Sequence, residues 1–123
     1  MGCRQVFPLD SVDEKGFDLI YGSHSLEHVL DLDKTMKIFD KILKPGGLIF
    51  MEVPNCHQDC KSGYPDDKLD PPHTYYFTRK YFDSLAGFKV ILNKTFYESK
   101  TGPYMVSNGD DGEVIRFLAR KIK

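Results

Sequence analysis

The sequence predicts an α/β fold built on a mostly parallel sheet. Short apolar runs at Phe17–Tyr21 and Leu48–Val53 are typical of buried strands. Between these runs, apolar residues recur at spacings of four, three and four, at Leu32, Met36, Phe39 and Leu43. Such spacing places them on one face of a helix. A strand, a helix and a second strand in this order indicate a right-handed crossover between parallel strands.

The first elements surround this crossover. Gln5–Phe7 is a candidate short strand, and the run Phe17–Tyr21 is the first buried strand. Asp31 or Asp33 is expected to cap the helix, because a short acidic side chain can accept a hydrogen bond from a free N–H at a helix start. Pro45-Gly46-Gly47 is expected to end the helix and turn the chain into the second strand.

The second half of the chain alternates loops with three further elements. Cys56–Pro72 is polar and rich in Gly, Pro and Asp, which predicts a long loop. Thr78–Ala86 is predicted to be a helix, and Phe88–Tyr97 and Val114–Ile122 are predicted to be strands. Lys100–Gly112 is a second turn-rich segment. Since no helix separates the last two strands, they are expected to pair as an antiparallel hairpin at one edge.

Composition excludes several functional classes. The 123 residues suit a single domain spanning 1–123, and 41% of them are hydrophobic, which favours a folded chain. The net charge is -1, and the sequence contains no block of basic residues. The composition therefore gives no support for nucleic-acid binding. No apolar run approaches the roughly 18 residues of a membrane span. The odd count of three cysteines and the absence of a leader pattern predict a cytoplasmic protein.

One long motif resembles a known family. The stretch FDLIYGSHSLEHVLDLDKTMKIFDKILKPGGLIFMEVPN, residues 17–55, resembles the central part of class I S-adenosylmethionine-dependent methyltransferases. In that family "FDLI" is the fourth strand, a helix ends in "LKPGG", and the fifth strand ends near "EVPN". The later stretch HTYYFTRKYFDSLAGFKVI resembles the region before the sixth strand of methyltransferases that act on small molecules. The resemblance covers Val6 to Lys121.

The resemblance implies a fold, a cofactor and a substrate class. The chain is expected to form part of a Rossmann-like methyltransferase sheet with flanking helices. Its strands would be the family's 4-5-7-6, the last of them antiparallel, with a remnant of the third. S-adenosylmethionine is the implied cofactor. A small molecule such as a sugar or related metabolite is the implied acceptor of the methyl group, on a hydroxyl, amine or carbon.

Two family features are not found in the sequence. The first is the Gly-rich loop that lets the backbone approach the cofactor closely, and the second is the acidic residue that holds the ribose hydroxyls. We therefore expect the chain to correspond to the C-terminal half of the family's domain and to be a truncated form, inactive alone. The alternative is a non-catalytic binding or assembly module derived from a methyltransferase. A separate chain supplying the N-terminal half is a third possibility, and self-association through the Phe17–Tyr21 edge is also expected.

Candidate site residues follow from the resemblance and from the strand ends. By resemblance, five residues would contact the cofactor: Asp10, beside the adenine amino group, and Tyr21, Gly22, Ser23 and His24, at the mouth of the fourth strand. Ligands of open α/β sheets lie outside the carboxyl ends of the strands. This location makes Glu52 and Asn55 candidate substrate contacts. Three histidines near the same edge are candidate catalytic bases: His28, His57 and His73.

Each candidate also has a structural interpretation. His28 could cap or pack the short turn after the first strand, and His24 could be a solvated surface residue. Glu27 is interpreted as a helix-start or salt-bridge residue rather than a catalytic group. His73 could anchor the long loop instead of acting as a base. Asn55 could simply turn the chain after the preceding proline.

The cysteines and histidines of the long loop also permit a zinc site. The long loop contributes a Cys-x3-Cys pair with a histidine inside it, and a later histidine could be a fourth ligand; the residues are Cys56, His57, Cys60 and His73. This spacing is permitted for zinc. There is no second cysteine pair, however, and the loop is acidic. We therefore predict reduced cysteines and no metal.

Overall fold

The computed structural model describes residues 15–29, 31–55, 64–65, 75–97, 103–107 and 109–122. The candidate strand Gln5–Phe7 lies outside these residues. In chain order the described elements are β1 (Phe17–Ser23), a 3-10 helix (Leu26–His28), α1 (Leu32–Ile42), β2 (Leu43–Pro54), β3 (Tyr64–Pro65), β4 (Tyr75–Tyr76), α2 (Arg79–Asp83), β5 (Phe88–Tyr97), β6 (Met105–Val106) and β7 (Val114–Lys121).

The main sheet has the strand order β1-β2-β7-β5-β6 within the described residues. β1 and β2 are parallel, and β7 is antiparallel to both of its neighbours, β2 and β5. The predicted order 4-5-7-6 with an antiparallel last strand is therefore confirmed. The prediction of a mostly parallel sheet was wrong for the described strands, because only β1 and β2 are joined by a helical crossover and the pairs β2–β7, β7–β5 and β5–β6 are antiparallel. The last two long strands do pair, but β7 lies inside the sheet, and the two-residue β6 borders β5. The pair β3 and β4 forms a separate small sheet.

The first crossover follows the prediction except at its end. Asp31 caps α1, and its side chain accepts a hydrogen bond from the backbone N–H of Lys34 at 3.1 Å. The helix ends at Ile42, three residues before Pro45, so the prediction that Pro45-Gly46-Gly47 ends it was wrong. β2 is already extended at Leu43, which pairs with Phe17 in β1, whereas Leu19 pairs with Leu48. The Pro-Gly-Gly segment is therefore a bulge within β2.

The second helix is shorter than predicted. It begins after Thr78, as expected, but it ends at Asp83 rather than Ala86. Ser84 explains the early end, because its hydroxyl donates a hydrogen bond to the carbonyl oxygen of Tyr81 at 2.6 Å. Serine side chains that bond to nearby backbone in this way compete with helix continuation.

The core lies on one face of the sheet. Alternating residues of β2 and β7 are fully or almost fully buried there, at Ile49, Met51, Val53, Ile115, Phe117 and Ala119. The two helices and the segment before α2 cover this face, and the rings of Phe82 and Phe117 stack at 4.7 Å between centroids. Among the described residues, none of the helices has the length and apolar character of a membrane span.

Candidate functional site

The carboxyl ends of β1 and β2 meet at one rim of the sheet. The backbone N–H of His24 donates to the carbonyl oxygen of Glu52 at 2.8 Å, just after Ser23 and Glu52 pair across the two parallel strands. This hydrogen bond fixes the first residue beyond β1 against the end of β2. Ligands of open α/β sheets bind outside these strand ends, so the rim is the candidate site.

Glu52 is the most connected side chain at this rim. Its Oε1 accepts a hydrogen bond from the Ser23 hydroxyl at 3.0 Å, and its Oε2 accepts one from Arg116 Nε at 2.8 Å. Burial opposes ionisation of Glu52, but the hydrogen bonds from Arg116 and Ser23 and the charges of Arg116 and His24 outweigh it and lower the pKa of the carboxyl below its usual 4.5. Glu52 is therefore an anion with a fixed orientation at neutral pH.

His24 lies between two carboxylates. Its Nε2 is 3.2 Å from Oε1 of Glu52, and its Nδ1 is 3.8 Å from Oε2 of Glu27. The backbone of His24 has φ of 52°, a left-handed conformation that is uncommon for residues other than glycine. The chain thus adopts an unusual backbone conformation at the residue that joins the two carboxylates.

Glu27 is buried beside this rim. Only 2% of the residue is exposed, and its Oε2 is also 3.9 Å from Nε2 of His28. Its other oxygen, Oε1, has no hydrogen-bond partner among the described residues. The sequence interpretation of Glu27 as a salt-bridge residue agrees with these contacts, whereas its burial was not foreseen. A buried carboxylate needs nearby positive charge or donors, and the two histidines can supply them.

Tyr21 and Gly22 have different surroundings, although both were predicted to contact the cofactor. Tyr21 is 67% exposed, and its ring stacks on Phe50 with centroids 5.4 Å apart. Gly22 faces the core instead, where an added Cβ would lie 2.7 Å from Sδ of Met51. Tyr21 can therefore present a ring to a ligand, while the small size of Gly22 is needed for packing.

Asn55 extends the rim towards the loop before β7. Its side-chain amide donates to the carbonyl oxygens of Asp110 and Gly112 at 2.7 and 2.8 Å, which attaches that loop to the end of β2. The Arg79 guanidinium forms an ion pair with Asp110 and so attaches the same loop to α2. The described contacts of Asn55 are structural, and its predicted role in binding substrate remains a prediction.

Arg116 is a site residue that the sequence interpretation missed. Its guanidinium lies between two aromatic rings, 4.8 Å from the centroid of Phe96 and 4.5 Å from that of Tyr104, while its Nε contacts Glu52. The only local signal in the sequence is a charged residue inside the apolar segment Val114–Phe117. A charged residue in such a run indicates a partner, but the run does not identify that partner.

Several predicted residues lie outside the described part of the chain. They are Asp10, His57, His73, Cys56 and Cys60. Their roles therefore stay predictions, as does the choice between reduced cysteines and a zinc site. In the described ranges, no three His, Cys, Asp or Glu side chains are grouped in a way that could hold a metal ion.

The described rim suits part of the cofactor named above. Its sulfonium is a cation, and the partly exposed carboxylate at the rim is Glu52, whose charge is already shared with Arg116. The exposed ring of Tyr21 provides an aromatic face, on which a planar base can stack. The described residues therefore fit the base more fully than the sulfonium. The ribose hydroxyls and the methionine group would need contacts from elsewhere.

Comparison with solved structures identifies the fold. A methyltransferase from Thermotoga maritima, titled a possible histamine N-methyltransferase, matches with a TM-score of 0.65 at 17% identity, over 92% of this chain and 61% of that one. A putative methyltransferase of Haloferax volcanii, solved with its Trm112 activator, gives 0.60 at 14% identity over 94% and 59%. A Methanosarcina mazei methyltransferase gives 0.59 at 16% identity over 96% and 66%.

The chain spans about three fifths of the length of the first two of these proteins. At such low identities the likeness shows the fold, which is that of S-adenosylmethionine-dependent methyltransferases. A comparison with curated protein sequences found no match. A family model described as a methyltransferase domain matches residues 4–92, which is well over half of the chain. The chain therefore belongs to the methyltransferase domain family.

Proposed function

We propose that this chain provides one side of the active-site rim of an S-adenosylmethionine-dependent methyltransferase with a small-molecule acceptor, such as a sugar or related metabolite. The observation that supports this most is the junction of β1 and β2, where Ser23, His24 and Glu52 are bonded to one another at the strand ends of a methyltransferase sheet. The family match supports the reaction class, and the geometry of the rim supports the proposed location.

The bound cofactor would supply an electrophilic methyl group on a positively charged sulfur. In this proposal Tyr21 and Ser23 contact the cofactor, and the carboxylate of Glu52 supplies negative charge on the same side. Because Arg116 and Ser23 hold this carboxylate in place, the charge needs no reorganisation when the ligand arrives. Positioning of this kind accounts for much of the rate increase in a transfer between two bound molecules.

A hydroxyl or amine acceptor must also lose a proton. Among the described residues His28 is the predicted base, and its Nε2 lies 3.9 Å from Oε2 of Glu27, a contact that can orient the ring. His57 and His73 remain alternative bases from the undescribed loop. Asn55 is proposed to contact the acceptor beside Glu52.

We further propose that these 123 residues alone hold the cofactor weakly, because the sequence contains neither the family's Gly-rich loop nor its ribose-binding acid. Asp10 would add a contact to the adenine amino group. A second copy of this chain, or a separate chain with the N-terminal half, is the proposed partner. A cytoplasmic location is proposed from the cysteine count.

The test is an NMR titration of the ¹⁵N-labelled chain with S-adenosylhomocysteine, the stable product form of the cofactor. We expect weak binding that shifts the backbone signals of Tyr21, Ser23 and His24. The variant Ser23→Ala should reduce the shifts, whereas Lys89→Gln, at the opposite end of the sheet, should leave them unchanged. If the rim signals do not move, the alternative of a non-catalytic module is favoured. Tight binding would contradict an incomplete cofactor site.

A further inference from the structure

A row of four polar residues crosses the exposed face of the sheet at this rim. Ser23 pairs with Glu52, Glu52 with Arg116, and Arg116 with Lys94, so one residue from each of β1, β2, β7 and β5 lies in line. Directly paired residues project to the same face of a sheet. The row begins beside His24, at the proposed cofactor contacts, and ends at Lys94.

Positive charge exceeds negative charge at the far end of the row. Arg116 is neutralised by Glu52, but the ammonium of Lys94 has no hydrogen bond or ion pair with any described residue, and its neighbour across the strands is also a cation. Like charges directly opposite each other in a sheet are unfavourable. Glu52 offsets this repulsion on the Arg116 side, and a bound anion would offset it on the Lys94 side.

The same two strands carry a second lysine–arginine pair that serves as an internal comparison. Lys89 is opposite Arg120 at the other end of β5 and β7. There the Arg120 guanidinium donates to the carbonyl oxygen of Gly46 at 2.8 Å, and among the described residues no aromatic ring stacks on it. The pair at the rim is therefore distinguished by its surroundings, not by its residue types.

Arg116 is held ready for a further ligand. The rings of Phe96 and Tyr104 both lie in contact with its guanidinium carbon, and the hydrogen bond from Nε to Glu52 fixes its direction. No described residue accepts a hydrogen bond from its terminal nitrogens. Since a guanidinium has five N–H donors, most of them remain for an oxyanion, which Arg binds through two parallel hydrogen bonds when the geometry allows.

A cavity of about 160 Å³ adjoins the lysine end of the row. It is lined by Arg79, Lys94, Val106, Ser107 and Gly109. The second cation in its lining, Arg79, is already paired with Asp110 and bonded to the carbonyl oxygen of Asn93. The hydroxyl of Ser107, also in the lining, donates to the carboxylate of Asp111. Lys94 is therefore the cation of this lining that has no ion pair with a described residue. The space suits a small charged group rather than a large ring system.

We propose that Lys94 and Arg116 bind an anionic group, a carboxylate or a phosphate, of the methyl acceptor. The inference rests on the proposed function, since it places the acceptor along the row. With strands about 4.8 Å apart, Ser23 and Lys94 are separated by about 14 Å. A small metabolite can span that distance with its anionic group at Lys94 and its nucleophile near His24.

Inorganic phosphate is the probe, titrated into the ¹⁵N-labelled chain against sodium chloride of equal ionic strength. We expect millimolar binding that shifts the signals of Lys94 and Arg116, including the Arg116 Nε–H. Lys94→Gln should weaken the binding roughly tenfold, as expected for the loss of one charged hydrogen bond. Arg116→Lys, which keeps the charge but loses the fork of donors, should also weaken it.

Lys89→Gln is the matched control, because it removes one lysine from the comparison pair and should leave phosphate binding unchanged. Equal loss of binding in Lys89→Gln and Lys94→Gln, or no phosphate-specific shift, would overturn the proposal. The titration is repeated with saturating S-adenosylhomocysteine. Unchanged phosphate shifts support an acceptor site, whereas their loss would assign the cations to the cofactor's own carboxylate. Because phosphate binding is measured without methyl transfer, its failure is distinguishable from failure of cofactor binding.

Discussion

Arg116 on β7 donates a hydrogen bond from Nε to Oε2 of Glu52 on β2 over 2.8 Å, although 64 positions separate the two residues in the chain. Both residues are partly buried, and Ser23 holds the other carboxylate oxygen. The pair therefore joins the end of the parallel crossover to the antiparallel closing strand. It also fixes the charge on which the proposed site depends.

The first prediction concerns acid stability. Because the pKa of Glu52 is lowered in the folded state, its contribution to stability is complete above its ordinary 4.5 and is lost as the pH falls below that value. We expect Glu52→Gln to be less stable near neutral pH and to lose less stability than the wild type between about pH 5 and about pH 3. Urea unfolding at each pH measures this.

Glu113→Gln is the control for that series, since it removes one carboxylate at an exposed position of the same rim. Parallel stability curves for the wild type and Glu52→Gln across the acid range would contradict the role assigned to Glu52.

The second prediction concerns Tyr81. Burial, followed by the nearby Asp33 and Tyr75, raises the pKa of its hydroxyl to about 12. The absorbance of the Tyr81 tyrosinate is the difference between the titrations of the wild type and Tyr81→Phe. We expect this difference to appear near pH 12 and not near the ordinary 10. The free energy of unfolding of the wild type should fall as the pH rises between these two values. An ultraviolet titration of both proteins, with circular dichroism to detect unfolding, provides the measurement. A difference between the two proteins that is centred near pH 10 would argue against burial of this hydroxyl.

The third prediction concerns the loop that Asn55 attaches to the rim. A Cβ added at Gly112 would lie 2.5 Å from the backbone N of Phe96, and that backbone cannot move aside without disturbing β5. We expect Gly112→Ala to cost about 1–3 kcal/mol of unfolding free energy. At Gly109 the nearest atom would be 4.0 Å away, so Gly109→Ala should be tolerated. Equal thermal stability of the two variants would show that the packing at Gly112 is looser than described.

The fourth prediction concerns self-association. β1 is the outer strand at one end of the described sheet, and Leu19 on it is 51% exposed. An edge strand with exposed apolar side chains invites pairing with another chain. We expect light scattering to show a mass that rises with concentration for the wild type and much less for Leu19→Lys. Ile122→Lys, at a position 59% exposed just beyond the end of β7, should behave as the wild type. A wild-type monomer at high concentration would refute the expectation.

Local sequence predicted much of the sheet. The strand Phe88–Tyr97 has the predicted bounds, and Asp31 caps α1, because β-branched and aromatic runs and short acidic caps act through nearby residues. The start of β2 at Leu43 was not predicted, since the following Pro-Gly-Gly segment is typical of a turn, and only pairing with β1 makes it a bulge. The strand order came from the family resemblance, not from periodicity.

The site was predicted less completely than the fold. Ser23, His24 and Glu52 do meet, because the parallel crossover requires the two strand ends to share one rim. The partnership of Glu52 with Arg116 depends on β7 inserting between β2 and β5, which no local pattern specifies. The burial of Glu27 likewise depends on tertiary packing around the short helix Leu26–His28.

The central claim is that the cofactor binds at the rim formed by the ends of β1 and β2. Isotope-filtered nuclear Overhauser measurements between S-adenosylhomocysteine and the labelled chain test it most directly. We predict contacts from the ligand's protons to the ring of Tyr21 and the side chain of His24, and none to Lys89 or Ile122 at the opposite end of the sheet. Contacts confined to that opposite end, or no contacts at the rim with bound ligand, would contradict the claim.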